Sequence, residues 1–311
     1  MRSKIEKTVP LLALSLILLI MSMGLAVVIE EIMAADIQSQ VSVGNAAPTV
    51  ATVTLNSGDA ITLVANGTTT VLGTTTITDS NGWVDISHAT ATLFQNGNSS
   101  SCSTGVGGAG RGAWCYWMAS SSCTLGATTT SSRIVSCSAF VWFIGEPTTG
   151  TSTITGDWQM DITAYDGAAS TSYASSGANS VECNVLYALN ASSSIDYGSV
   201  APGATSSEQT TKITNTGNWQ IDNSLSGVDM DDGSVHTIPV GQQKYSSSSD
   251  MGDWVGTALT TSAAAYDLEL PRPTATTSNS TDNLYWMIKI PDGQYAATYT
   301  GTNTLTARDA L

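Results

Sequence analysis

The chain has 311 residues, of which 41% are hydrophobic and only 11% are charged, less than half the usual charged share. More than a quarter of the residues are serine or threonine, and 10 basic residues stand against 25 acidic ones, for a net charge of −15. This composition argues against nucleic-acid binding, because neutralising phosphates requires many lysines and arginines. It is also poor in the histidine, lysine and carboxylate clusters of most active sites.

The amino terminus has the layout of an export signal. Arg2, Lys4 and Lys7 precede an uncharged apolar stretch over residues 9–29, which predicts one N-terminal hydrophobic helix. Residues 1–35 are therefore either a signal peptide cut after Ala35 or a retained membrane anchor, and the sequence leaves both open. Either way residues 36–311 are exported, residues 36–47 form a spacer, and only residues 9–29 contact a membrane.

The rest of the chain is predicted to be all-β. Short runs of β-branched and aromatic residues alternate with polar residues, and turn residues recur about every ten positions, which is typical of sandwiches. A polar break at residues 190–194 divides the chain into two antiparallel Ig-like or jelly-roll β-sandwich modules, residues 48–189 with a Cys-rich insertion and residues 190–311. The predicted strands are 49–55, 69–78, 86–94, 134–144, 158–165, 181–189, 210–214, 219–225, 266–270, 284–290 and 299–307. Hairpin turns are predicted at residues 79–82, 215–218 and 291–293.

All five cysteines lie in the first module. In an exported protein they indicate disulfides rather than a metal-thiolate site, since Cys-x-x-Cys spacing and a nearby histidine are both missing. Bridges are expected among Cys102, Cys115, Cys123 and Cys137, with the connectivity open, and Cys183 is expected to be a buried free thiol.

Two features could bind a ligand. Asp79, Asn81 and Asp85 place oxygen ligands at alternate positions around Gly82, as in part of a calcium loop, although an ordinary Asx-capped turn has the same residues. Trp114, Tyr116 and Trp117 lie in the Cys-bounded insertion and could contact a glycan or a protein, or could equally cover the core.

Catalytic patterns are weak. His88 and His236 lie in different modules, and the sequence identifies no serine and carboxylate as triad partners for either histidine. Asp157, Asp161 and Asp166 are close in sequence, as glycosidases require of a carboxylate pair, but they flank a strand and a turn and are read as a solvated edge. No cofactor is expected.

Several motifs carry a resemblance to known proteins. They are VGNAAPTV at 43–50, FIGEPT at 143–148, IDYGSVAPG at 195–203, NTGN at 215–218 and YTGTNT at 299–304. With these motifs the chain resembles uncharacterised exported Ig-like β-sandwich surface proteins of uncultured microbes with small genomes, and its second module is similar to jelly-roll fibre subunits of the TasA and camelysin type. The second resemblance implies assembly by strand donation, for which residues 36–47, with Ile37, Val41 and Val43, would be the donor segment.

These observations favour a non-catalytic structural protein of the cell surface, in a surface layer, fibre or display role, that associates with the cell envelope or with itself. One alternative is an adhesin that binds a glycan or a surface protein through the Cys-bounded aromatic loop. An extracellular hydrolase is the third possibility, and it requires a histidine beside a carboxylate in a deep cleft.

Overall fold

The computed structural model describes residues 37–96, 113–149, 156–168, 171–175, 179–252, 254–276, 278 and 280–310. Their regular structure is β-strand, and the helices among them are short 3₁₀ turns such as Asn56–Gly58 and Val240–Gln242. The all-β prediction is therefore confirmed for this part of the chain. The predicted N-terminal helix lies outside the described residues, and no helix within them is long and apolar enough to span a bilayer.

Residues 45–311 form one compact unit that contains two separate hydrophobic clusters. The first cluster lies between two antiparallel sheets, with inward side chains at alternate positions such as Val71, Val135 and Ile162. One sheet has the order β1 (Thr49–Val50), β3 (Thr68–Thr78), β7 (Ser132–Trp142), β6 (Cys123–Thr128), with β2 (Thr54–Leu55) also on β3; the other has the order β5 (Cys115–Met118), β4 (Ile86–Gln95), β8 (Trp158–Asp166), β9 (Thr171–Ser175).

The second cluster also lies between two antiparallel sheets and includes Ile213, Leu225 and the fully buried Trp286. A small separate hairpin pairs β13 (Met230–Asp231) with β14 (Thr237–Ile238). One sheet has the order β10 (Leu189–Ala191), β11 (Gln209–Asn215), β18 (Ser280–Ile288), β15 (Gln243–Ser246), β16 (Thr257–Ala258); the other has the order β17 (Ala264–Leu270), β12 (Ile221–Gly227), β19 (Asn303–Asp309).

The three predicted hairpin turns are not hairpins. Residues 79–85 connect β3 to β4, residues 216–220 connect β11 to β12, and the turn at 291–293 follows β18 on the way to β19; in each case the two strands belong to opposite sheets. The turn residues were placed correctly, but the chain crosses over the end of the sandwich instead of folding back beside itself.

The two halves meet at a polar junction. Asn218 is fully buried there; its Nδ2 donates to the carbonyl oxygens of Gly145 (2.9 Å) and Asn184 (3.0 Å), and its Oδ1 accepts from the Leu186 N–H (2.6 Å). A side chain at position 217 would overlap the Leu186 carbonyl oxygen, so only glycine fits this close approach. These contacts join residues of the first sandwich to the β11–β12 connection.

An ion pair lies at the same junction. The Arg272 guanidinium, after β17, contacts the carboxylate of the buried Glu146 at 2.5 Å. The Glu146 carbonyl also accepts a hydrogen bond of 2.9 Å from the indole Nε1 of Trp158, a fully buried residue of the first core. The division of the chain into modules 48–189 and 190–311 stays a prediction, and the junction is where it would be tested.

Candidate functional site

Three aspartates from three strand ends meet at one end of the first sandwich. Asp79 directly follows β3, Asp85 directly precedes β4, and Asp166 is the last residue of β8. Because Ile86 pairs with Asp166 across the β4–β8 ladder, and the connection from β3 brings Asp79 over the sandwich end, one carboxylate oxygen from each residue lies within 4.8 Å of the other two.

Backbone groups hold the three carboxylates in place. Asp79 Oδ1 accepts from the Asn81 N–H (2.7 Å), Asp85 Oδ1 from the Gly167 N–H (3.3 Å) and Asp166 Oδ1 from the Ala168 N–H (3.0 Å). Gly82 has a φ of +109°, a backbone conformation that residues other than glycine rarely adopt. This conformation closes the turn between Asp79 and Asp85. The carboxylates are therefore oriented before any ligand arrives.

The segment before β1 also contacts this site. The Asn45 side chain donates to Asp166 Oδ2 (2.8 Å), and the Ala46 N–H donates to Asn81 Oδ1 (2.8 Å). Asn81 is exposed, and its side-chain oxygen contacts the backbone just before β1.

Of the residues expected to bind calcium, Asp79 and Asp85 lie together, and Asp166 joins them. By its position in the sequence, Asp166 is expected to form a solvated edge with Asp157 and Asp161. On β8, Asp161 and Asp166 are five residues apart, about 16 Å along an extended strand, which is beyond the carboxylate spacing of glycosidases. Only the strand pairing brings Asp166 to Asp85, and sequence spacing does not show that pairing.

The aromatic residues of the insertion divide between core and surface. Tyr116 is 5% exposed, its ring lies 6.0 Å from that of Trp158, and its hydroxyl oxygen accepts from the Trp142 N–H (3.1 Å). Burial raises the pKa of this phenol above its usual range. Trp114 and Trp117 are half-buried, so a ligand-contact role stays a prediction for these two indoles.

A disulfide joins Cys123 to Cys137, which lie directly opposite each other on β6 and β7. Cys115 is also disulfide-bonded, and Cys102 lies outside the described residues. Cys183 is a buried free thiol at the junction, where burial, and secondarily the Glu146 charge, raise its pKa to about 12.

Neither histidine completes a catalytic triad within the described residues. His88 stacks on Tyr165 and its Nδ1 lies 3.0 Å from the Ser87 hydroxyl, but no carboxylate in the described part of the chain contacts its ring. His236 Nδ1 lies 2.6 Å from Asp232 Oδ2, a hydrogen bond that lowers the pKa of that carboxyl, but no serine that the structure describes contacts its ring.

The second half of the chain contains a cleft of about 670 Å³ with many apolar side chains in its wall. A smaller cleft of about 220 Å³ shares three of these residues, Ile195, Tyr197 and Met230, and reaches Leu305 on the edge strand β19. The buried Thr211 hydroxyl, which lines the smaller cleft, has no hydrogen-bond partner among the described residues. The apolar side chains of the larger cleft include Ile195, Val200, Met230, Ile238, Ile288 and Ile290.

Comparison with protein-family models finds no match, and comparison with curated proteins finds none either. Among solved structures, the chain is similar to a chain in the crystal structure of the CsuC-CsuE chaperone-tip adhesion subunit pre-assembly complex from archaic chaperone-usher Csu pili of Acinetobacter baumannii. The two chains are 12% identical, and the match covers 85% of this chain and 100% of that chain with a TM-score of 0.35. A TM-score this low supports neither a shared fold nor a shared function.

Proposed function

We propose that this protein is an exported, non-catalytic structural component of the cell surface, and that its copies assemble through the segment before the first sandwich. The disulfides support export, because such bonds form and persist in oxidising compartments. The leader over residues 1–35 would deliver the chain, either as a cleaved signal or as a retained anchor.

The observation that carries the assembly proposal is a segment without strand or helix whose apolar side chains lie in solvent. Ile37, Val41 and Val43 are 87%, 85% and 83% exposed. In an extended chain, residues two apart point to the same side, so these three share one face while Gln38, Gln40 and Ser42 occupy the other. An apolar face of this kind is stabilised when it joins a sheet.

The two clefts of the second half, which share three lining residues, offer an acceptor. The smaller one is lined in part by Asn303 and Leu305 of β19, the edge strand of its sheet, and the walls of both present apolar side chains. In the proposed fibre, residues 36–47 of one copy add a strand at this edge of the next copy and place Ile37, Val41 and Val43 in the clefts.

The test replaces Val41 by aspartate in the full chain isolated from the cell envelope. The wild-type protein is expected to form polymers whose size rises with concentration, as measured by sedimentation velocity and negative-stain electron microscopy. Val41→Asp is expected to remain monomeric, because a carboxylate cannot enter an apolar cleft without a large desolvation cost.

The matched control is Gln40→Asp, which adds the same charge on the opposite face of the segment and is expected to polymerise. A wild-type protein that stays monomeric at its highest soluble concentration contradicts assembly. Native protein found in the cytosol with its thiols reduced contradicts export.

A further inference from the structure

The acidic cluster at the end of the first sandwich contains a buried carboxylate that no lysine or arginine in the described part of the chain balances. Asp79 is 1% exposed, and its Oδ2 has no hydrogen-bond partner among the residues that the structure describes. Neither Asp79 nor Asp85 is ion-paired with a lysine or arginine of the described residues. An ionised carboxylate that is buried beside two further carboxylates is strongly unfavourable unless a cation is bound.

We propose that Asp79, Asp85 and Asp166 together bind one calcium ion. Two oxygens that bind the same Ca²⁺ at about 2.4 Å can be at most about 5 Å apart. The three carboxylate oxygens lie within 4.8 Å of one another and satisfy this limit. The unpartnered Oδ2 of Asp79 is the buried ligand, and bidentate binding by the other carboxylates, together with water, completes the six to eight oxygens of a calcium shell.

The chemistry of the ligands selects the metal. The cluster contains only carboxylate oxygens, which bind hard cations, and neither a cysteine nor a histidine belongs to it. Magnesium requires near-ideal octahedral geometry and shorter bonds, whereas three carboxylates held by separate strand ends provide an irregular site that suits calcium.

Binding at this site would also fix the start of the compact unit. Asp166 accepts from the Asn45 side chain, and Asn81, in the turn that connects two of the ligands, accepts from the Ala46 N–H. An ion that holds Asp79 and Asp166 in one place therefore holds both acceptors, and the Ala46 amide becomes protected. This proposal stands on the described contacts and does not depend on the fibre proposal.

The test measures binding and stability of the full-length protein after treatment with EDTA. Isothermal titration calorimetry with CaCl₂ is expected to give one site per chain. The melting temperature is expected to rise by roughly 5–10 °C at a calcium concentration about 100 times Kd. Magnesium is expected to bind at least roughly tenfold more weakly. Terbium in place of calcium is expected to show luminescence sensitised by Trp83, which lies in the same turn between Asp79 and Asp85.

Three variants and one control assign the site. Asp79→Asn, Asp85→Asn and Asp166→Asn are each expected to abolish the calcium-dependent rise in melting temperature. Asp85 is only half-buried, so Asp85→Asn keeps the test valid if the buried variants fail to fold. Asp231→Asn is the control, because Asp231 lies in another acidic turn and its Oδ1 accepts from the Gly233 N–H.

Hydrogen exchange tests whether the ion also orders the residues that lead into β1. Calcium is expected to slow exchange of the Ala46 amide in the wild type and not in Asp85→Asn. The calcium proposal is overturned by three results: no binding at about 10 mM CaCl₂, equal affinity for magnesium, or calcium stabilisation that survives in Asp85→Asn.

Discussion

Cys183, a buried thiol at the junction, makes the stability of the protein depend on pH. Its thiol lies in the junction with Asn218, whose Nδ2 is 4.0 Å from the sulfur. Burial raises the pKa of this thiol from 9.0 to about 12, and the charge of Glu146 adds to the shift. In the unfolded chain the thiol ionises near its ordinary pKa, whereas in the native protein it stays protonated.

This shift predicts alkaline destabilisation with a defined onset. Below pH 9 the thiol is protonated in both states and has no effect; as pH rises from 9 towards 12, only the unfolded state loses the proton, so the free energy of unfolding falls. Urea midpoints measured across this range are expected to fall in the wild type and to fall less in Cys183→Ala. Tyr197, whose pKa is also raised by burial, is the comparison: Tyr197→Phe is expected to reduce the loss only above pH 10. Equal midpoints at pH 8 and pH 11 would contradict the prediction.

The candidate site shows what local sequence can and cannot predict at the scale of residues. Asp79 and Asp85 share one turn, so their spacing around Gly82 was enough to suggest a cation site. Asp166 is 81 residues away from Asp85 and reaches it through the register of β4 and β8. A sequence window carries no information on that pairing.

At the scale of elements, most strands were predictable and their partners were not. The predicted strand at 86–94 is Ile86–Gln95, and the one at 158–165 is Trp158–Asp166, because alternation of apolar and polar residues marks a half-buried strand. The predicted strand at 181–189 was wrong for most of its length: Val181 and Cys183 form only isolated bridges, to Trp158 and Ile61, and Leu189 alone belongs to a strand, β10. The residues between them cross the junction, where the Leu186 N–H donates to Asn218 Oδ1.

The cross-strand disulfide gives a prediction for the β6–β7 pair. It closes a short loop with a sequence separation of 14, and one of its ends, Cys137, is fully buried in the first core. Replacing Cys123 and Cys137 together by alanine is expected to cost about 2–4 kcal/mol, because the unfolded chain regains the freedom that the bond removes.

Chemical denaturation measures that cost. The single variant Cys183→Ala is the control at a pH below 9, since it removes a buried thiol and leaves the bridge intact. A double variant as stable as the wild type would show that strand pairing alone orders β6.

For the whole molecule, composition and strand pattern predicted an all-β chain, but not how its parts are joined. Sparse charge and abundant β-branched residues indicated strands throughout, whereas the division into two sandwich modules stays a prediction. The contacts at the junction include one fully buried amide, one ion pair and one glycine, and their partners lie far away in sequence, as with Asn218 and Gly145, Glu146 and Arg272, and Gly217 and Leu186. From the sequence, Gly217 and Asn218 predict only a turn. They do lie in a turn, but their contacts across the junction cannot be read from the sequence.

The junction predicts that the two cores unfold together. The Asn218 side chain makes three hydrogen bonds across it, so Asn218→Ala leaves two carbonyl oxygens and one N–H without that partner, at a cost of about 2–4 kcal/mol. Differential scanning calorimetry of the wild type is expected to give one cooperative transition, and that of Asn218→Ala two. Asn190→Ala, an exposed asparagine on β10, is the control and is expected to retain one transition. Two transitions in the wild type would contradict this prediction, because each sandwich would then unfold independently even with the junction contacts intact.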